Sequence, residues 1–167
     1  YGDGRDDLTL FYFKEGTNYA VSYTASSIVS ESITWNKKNA KKNIKALFVN
    51  TKNANTFTGK QGLKSLDEIG ENLANSLTQR EEYERGRKGK SVKVDEILFA
   101  STGVIGEKLD VDKIIKIFPN ISKSQPQNLL SASKAIMTTD TYPKNIVKKV
   151  KINSKIIKIF GIAKGSG

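Results

Sequence analysis

The segment IKALFVNTKNANTFTGKQGLKSL, residues 44 to 66, decides the fold. Its first seven residues are a short apolar run rich in β-branched and aromatic side chains, the composition of a buried strand. A polar turn follows. Thr58-Gly59-Lys60-Gln61 then has the spacing of a capping box, in which a threonine hydroxyl and a glutamine side chain satisfy the backbone donors that a helix start leaves open. Leu63, Leu66, Ile69, Leu73 and Leu77 recur at three- and four-residue spacing, a single apolar stripe that reads as core and implies no cofactor. TQREEYERGRKGKS (78 to 91) is charged and nearly free of aliphatics, so an exposed loop or frayed helix end is expected there. VDEILFAS (94 to 101) is the next buried strand. Strand, helix and strand in this order predict a mixed α/β domain with its sheet covered by helices.

The same reading extends to both ends of the chain. LTLFYF (8 to 13) and NYAVSYT (18 to 24) flank a turn-like Glu15-Gly16-Thr17 and predict a hairpin. Asp110 to Phe118 predicts a short helix that Pro119 ends, and Gln127 to Met137 another. Two strands are expected over 145 to 152 and 155 to 162. The lysines of KKVKINSKIIK (148 to 158) partly alternate with Val and Ile, the pattern of a half-buried strand with a solvated lysine face.

Composition narrows the chemistry. At 167 residues the chain is long enough for one domain with a real core, and it has no apolar run long enough to span a membrane. Residue 1 is Tyr and no basic-then-apolar leader precedes LTLFYF, so a fragment or processed chain, soluble and cytoplasmic, is expected. Cysteine is absent, which removes disulfides and thiolate chemistry from this chain. Histidine is also absent, which removes Ser-His-Asp and Cys-His triads and His-ligated zinc; no metal site is expected. Acid–base work falls to carboxylates, lysines, tyrosines or an α-amino group supplied from elsewhere. The net charge of +11 invites a nucleic-acid reading, but only four of the 28 basic residues are Arg and they are spread from end to end. No nucleic-acid partner is expected, and any binding to random DNA should be weak and steeply salt-dependent.

Three stretches can hold chemistry. In STGVIGEKL (101 to 109) a strand ends in Ser-Thr-Gly, so Thr102 and Gly103 lie at the carboxyl end of a strand, where α/β folds commonly place ligands. They either donate together to an oxyanion or form a simple capped turn. TTDTYPK (138 to 144), with four hydroxyl side chains and one carboxylate, binds a polar substrate or forms a hydroxyl-capped turn. GIAKGSG (161 to 167) sets Lys164 on a small-residue turn that lets backbone approach a ligand, unless it is a frayed tail. GKQG and KGSG do not have the arrangement of a phosphate-binding P-loop.

VNTKNANTFTGKQG (49 to 62), STGVIGEKLDVDKI (101 to 114), AIMTTDTYPK (135 to 144) and GIAKGSG (161 to 167) resemble, in the same order, blocks of the ornithine acetyltransferase family, also called bifunctional glutamate N-acetyltransferases, of arginine biosynthesis. The match runs from about Ile44 to the end, roughly three quarters of the chain, and GRDDLTLFYF looks like the family's first strand. Lys52 departs from the pattern, which usually has Gly there, and this bears on the backbone of the turn at 50 to 56.

The resemblance implies a layered fold of sheets between helices, completed by a second chain. In this family a precursor cleaves itself just after the KGSG-like motif, and the new N-terminal threonine of the downstream β chain is the nucleophile. The present chain looks like the α chain, associated with its β chain and with further αβ copies as an α2β2 heterotetramer. The implied reaction moves an acetyl group from N2-acetyl-L-ornithine to that threonine and then to L-glutamate, with the threonine's own α-amino group as base. No cofactor is implied, although some members also take acetyl from acetyl-CoA. Residue by residue, the family's oxyanion hole falls on Thr102 and Gly103, its substrate-contacting threonine on Thr138 and its substrate-contacting lysine on Lys164. A lysine on a glycine-flanked turn can reach the α-carboxylate that both substrates carry. Two other readings stand beside this one: a self-processing aminopeptidase or amidohydrolase of related fold, with water as acceptor, and a non-enzymatic binding module.

Overall fold

The computed structural model describes residues 6–86, 90–121 and 123–165. Among these, β1 (Leu8–Asn18), β2 (Asn43–Asn50) and β3 (Ile97–Ser101) form a three-stranded sheet in the order β1-β2-β3. β1 runs antiparallel to β2, and β3 parallel to it with Asn50 opposite Ser101. A parallel neighbour requires a crossover, and α2 (Gly59–Arg85) provides it. Alternate residues of β2, Ala46 and Phe48, point into the core with Ile97 and Phe99 of β3 and Leu8, Leu10 and Tyr12 of β1. Against them pack Leu66, Ile69, Leu73 and Leu77, with Leu63 at the margin, so the leucine stripe is core as expected. Trp35 of α1 (Glu31–Asn39) and Phe118 of α4 (Phe118–Ile121) complete this layer, Trp35 edge-on to Phe99 at 4.8 Å and Phe118 edge-on to Phe48 at 5.8 Å.

The second element pair is a hairpin of β4 (Lys144–Ile152) and β5 (Lys155–Ala163), backed by α5 (Leu129–Ala135). Asn153 and Ser154 at its tip both have positive φ, 46° and 66°, the geometry of a two-residue type I′ turn that matches strand twist.

Several local expectations are corrected. There is no hairpin between 8–13 and 18–24: one strand runs through Glu15-Gly16-Thr17, its register with β2 shifting between Tyr12 and Thr17, and 19–24 is not strand. A bulge absorbs what reads locally as a turn. Residues 78–85 continue α2 as regular helix to Gly86 (φ 63°), while 87–89 lie outside the described residues. Charged residues are accommodated there because they pair across elements, as below. Pro119 does not end the helix before it, which spans Val111–Ile115 (α3); it sits in the first turn of α4, where its missing N–H costs nothing. The lysine-bearing strands are not half-buried: side chains on both faces of β4 and β5 are exposed, Ile146, Val147, Ile156, Ile159 and Phe160 among them.

The capping box is also absent. Thr58 is the N-cap of α2, but its side chain makes no capping bond; its hydroxyl donates to Asn55 Oδ1 at 2.7 Å. The carboxylate of Glu31 caps the helix instead, accepting from the N–H groups of Thr58 (3.0 Å) and Gly59 (2.6 Å). An anion at this end also meets the positive pole of the helix.

The far end of α2 carries a second buried carboxylate, Glu81, whose side chain is 1% exposed. Oε1 accepts from the Tyr12 hydroxyl at 2.9 Å and from Lys45 Nζ at 2.8 Å, tying β1, β2 and α2 together. Burial pushes the Glu81 carboxyl upward, but the hydrogen bonds from Lys45 and Tyr12 outweigh it and hold its pKa below the ordinary value. Burial and the same carboxylate push the Tyr12 phenol up. A depressed folded pKa contributes stability above the unfolded value, about 4.3, that is lost as pH falls through the folded one. Glu81→Gln is expected to cost about 1.5–3 kcal/mol at neutral pH, and the gap to the unsubstituted chain should narrow on acidification below about pH 4.3. Denaturant melts across pH check this; a gap constant with pH would mean that the charge is not what Tyr12 and Lys45 hold.

Candidate functional site

β2 and β3 end side by side, and the two turns that leave them are zipped together. Thr102 N–H donates to Asn50 O (3.0 Å), Val104 N–H to Lys52 O (3.0 Å), Ala54 N–H to Val104 O (2.8 Å) and Gly106 N–H to Thr56 O (2.8 Å). Asparagine side chains fill the remaining positions. Asn50 Nδ2 donates to Asn53 O (2.8 Å) while its Oδ1 accepts from Ser101 Oγ (2.6 Å). Asn53 Nδ2 donates to Glu107 O (2.8 Å), and its Oδ1 accepts from Asn55 N–H (2.7 Å). All three asparagines are buried, Asn55 completely.

Thr102 and Gly103 sit in this frame. Gly103 has φ 136°, and a Cβ built on it would lie 2.1 Å from the carbonyl carbon of Lys52, so no larger residue fits. The Thr102 N–H is already committed to Asn50. Among the described residues neither the Thr102 hydroxyl nor the exposed Gly103 N–H has an acceptor. Two neighbouring donors are thus left facing outward on a backbone that cannot easily relax, the requirement for stabilising a developing negative charge.

Thr138 and Lys164 lie elsewhere in the fold, past α5 and after β5, and Asp140 links their surroundings. Its side chain is 1% exposed and accepts from Lys144 Nζ (2.7 Å), Gly165 N–H (2.7 Å) and, more weakly, Thr138 N–H (3.4 Å). The Lys144 ammonium, and then the Gly165 amide, hold the Asp140 carboxyl well below the usual carboxylate range. Lys164 is exposed and has no acid within ion-pair distance among the described residues; Ser166 and Gly167 lie outside them. The structure therefore groups the four candidates as two pairs. No hydrogen bond joins Thr102 and Gly103 to Thr138 and Lys164, and none of the four lines the two clefts of ≈ 850 and ≈ 630 Å³. No group of His, Cys, Asp or Glu suited to a metal occurs among the described residues, and no described helix is long and apolar enough to cross a membrane.

Sequence reasoning missed Asn50, Asn53, Asn55, Glu31 and Asp140. The available signals were three asparagines in six residues directly after a buried strand, and the single carboxylate among the hydroxyls of TTDTYPK. Glu31 gives no signal, because its partner is 27 residues away.

Comparison with known proteins decides the family. A profile of the ArgJ family matches residues 2–167. The chain belongs to the ArgJ family. The match is wider than the three quarters read from motifs, taking in the first 40 residues as well. The arginine biosynthesis bifunctional protein ArgJ of Bartonella quintana is 36% identical over 166 residues, 98% of this chain and 37% of that protein. Its counterpart in Gluconobacter oxydans is 37% identical, over 98% of this chain and 36% of that protein. The chain thus spans little more than a third of the relatives it matches. Among solved structures, ArgJ of Bacillus halodurans superposes with a TM-score of 0.83 at 25% identity, over 99% of this chain and 81% of that one. Ornithine acetyltransferase of Mycobacterium tuberculosis, solved with ornithine, gives 0.75 at 25% identity, over 96% and 80%. The mixed α/β fold expected from the sequence is that of ArgJ structures.

Membership in ArgJ gives the Lys52 departure a physical meaning. Lys52 has φ 70°, in the left-handed region that glycine occupies freely. Here the ArgJ turn keeps its shape, and a lysine adopts the backbone that glycine usually supplies. A left-handed non-glycine residue costs about 1–2 kcal/mol, partly offset because glycine is more flexible when unfolded. The Lys52–Asp7 contact at 3.8 Å adds little. Lys52→Gly should therefore be neutral or stabilising by up to about 1 kcal/mol, whereas Lys52→Val should destabilise by about 1–3 kcal/mol. Thermal melts of the two variants decide it, and equal effects would overturn the assignment of strain to this position.

Proposed function

We propose that residues 1–167 form one domain, the α chain of a self-cleaving acetyltransferase that moves acetyl from N2-acetyl-L-ornithine to L-glutamate in cytoplasmic arginine biosynthesis. The observation that carries this reading is the pair of free donors, Thr102 hydroxyl and Gly103 N–H, on a turn fixed by buried asparagines. Two further facts support it. The chain covers 37% of a relative as encoded but 81% of a solved ArgJ chain, the relation expected when a precursor is cut into two chains. The hairpin β4–β5 exposes apolar side chains on both faces, including Ile146, Ile156 and Phe160, surface of the kind that a partner covers. That partner would be the β chain, with further αβ copies forming α2β2.

The chemistry follows from where charge develops. The β-chain threonine Oγ attacks the acetyl carbonyl carbon while its proton passes to the threonine's α-amino group. The carbonyl oxygen becomes an oxyanion, received by the Thr102 hydroxyl and Gly103 N–H. Collapse breaks the C–N bond, ornithine leaves with the proton, and an acetyl-threonine ester remains. The glutamate amine then attacks that ester through the same oxyanion and regenerates the threonine. Thr138 and Lys164 hold the substrate, the lysine ammonium meeting an α-carboxylate. The reaction needs no cofactor; acetyl-CoA enters, where it is used, as a second acetyl donor.

Thr102→Val keeps the shape and removes one donor, leaving Gly103 N–H in place. In fully processed αβ enzyme kcat should fall by about 10²–10³, with KM little changed. A variant with near-normal kcat and weakened substrate affinity would make the hydroxyl a ground-state contact and end its assignment to the oxyanion hole. The unsubstituted enzyme must yield N-acetylglutamate; free acetate alone would move the reading to a hydrolase.

A further inference from the structure

We infer that Asp140 is the positioning residue of the substrate-binding pair, its buried carboxylate clamping the two chain segments that carry Thr138 and Lys164. The inference rests on the assignment of those two residues to substrate. Thr138 and Lys164 are far apart in sequence and sit on opposite sides of the open end of the hairpin, whose last paired residues are Lys144 and Ala163. Beyond that pair the ladder ends, and nothing in the strands themselves holds the flanking segments together. Asp140 does so from the β4 side. Its Oδ1 accepts from Gly165 N–H, directly after Lys164, at 2.7 Å, and its Oδ2 accepts from Thr138 N–H at 3.4 Å. The donors are backbone amides, so the carboxylate fixes chain position and leaves the Thr138 and Lys164 side chains free for substrate.

The charge arrangement fits the same role. A buried carboxylate beside a substrate-binding lysine would compete with the substrate carboxylate for that cation. Here Lys144 occupies Asp140 at 2.7 Å and is itself held over the Tyr142 ring, 4.7 Å from its centroid. Asp140 is thereby neutralised by a dedicated partner, and Lys164 keeps its charge for a ligand. Gly165 has φ 137°, a conformation that side-chain-bearing residues avoid, so the amide reaches Asp140 from a turn that only glycine makes without strain.

The test uses processed αβ protein. Asp140→Asn preserves shape but turns one acceptor oxygen into a donor, so it cannot receive all three partners. KM for both N-acetylornithine and glutamate should rise about 10- to 100-fold, with kcat changing far less, since small misplacements of binding groups carry penalties of about that size. Lys144→Met removes the counterion but leaves both amide bonds; it should lower the melting temperature while KM stays within about threefold. An Asp140→Asn enzyme with unchanged KM, or equal KM changes in the two variants, overturns the inference. If Asp140→Asn does not fold, hydrogen exchange on the unsubstituted protein decides: the Gly165 amide should be protected, and exchange at an unprotected rate overturns the clamp. Failure of the unsubstituted enzyme to transfer acetyl would sink the functional reading and leave the exchange result standing on its own.

Discussion

Everything at the carboxyl ends of β2 and β3 depends on three buried asparagines. Two irregular turns leave adjacent strands there, and irregular backbone removed from water must find partners for its N–H and C=O groups. An asparagine side chain donates and accepts at once, as a peptide group does, so Asn50, Asn53 and Asn55 act as extra lengths of backbone between the turns. Each such bond adds only about 1 kcal/mol net, but leaving its partner buried and unpaired costs about 1–3 kcal/mol. The arrangement is therefore close to all-or-none. It holds Gly103 against Lys52 at a separation that excludes any Cβ.

The helical layer is bound into the same network. Glu31 caps α2 through Thr58 and Gly59, and its own N–H donates to Asn55 O at 3.0 Å. One residue further, Ser32 Oγ meets Ser101 Oγ at 2.8 Å, and Asn36 bonds both the N–H and the C=O of Phe99. α1 is thus attached to the turn after β2, to the start of α2 and to β3 by polar contacts, whereas Trp35 anchors it in the apolar core. A shift of α1 would disturb packing and the candidate oxyanion donors together, and that coupling is how a core some distance away can keep two donors in register.

What the sequence disclosed follows from the range over which each force acts. The α2 stripe and the strands β2 and β3 were legible because hydrophobic periodicity is written within a single element. The motif STGVIG was legible as a strand end carrying donors, and family resemblance located Thr138 and Lys164. The bulge in β1 was not, because Glu15-Gly16-Thr17 is a local turn signal overridden by pairing with β2. Nor was the α2 cap: the Thr58 hydroxyl has the right spacing for a capping box, but Asn55 takes it and a carboxylate from another helix takes its place. Glu81 was read as part of a solvated charged run, although Tyr12 and Lys45, distant in sequence, make a buried position tolerable for it. In each case the deciding partner lies outside the window that local patterns describe.

The same logic explains how the β4–β5 hairpin holds its form with so little core of its own. Between Lys144 and Ala163 there are six lysines and no acid, and Lys149 faces Lys158 directly across the ladder, a like-charge pair that opposes strand association. Its apolar residues bury little within this chain, so side-chain packing compensates only weakly. Stability must come from the ladder hydrogen bonds and from the two ends. At the closed end, Asn153 and Ser154 supply a turn whose twist already suits the strands. At the open end, Asp140 joins the segments before β4 and after β5, and Lys144, the first lysine of the hairpin, is the one whose charge it offsets. The acid that the strands lack is placed just outside them, where it restrains the hairpin without occupying either of its exposed faces.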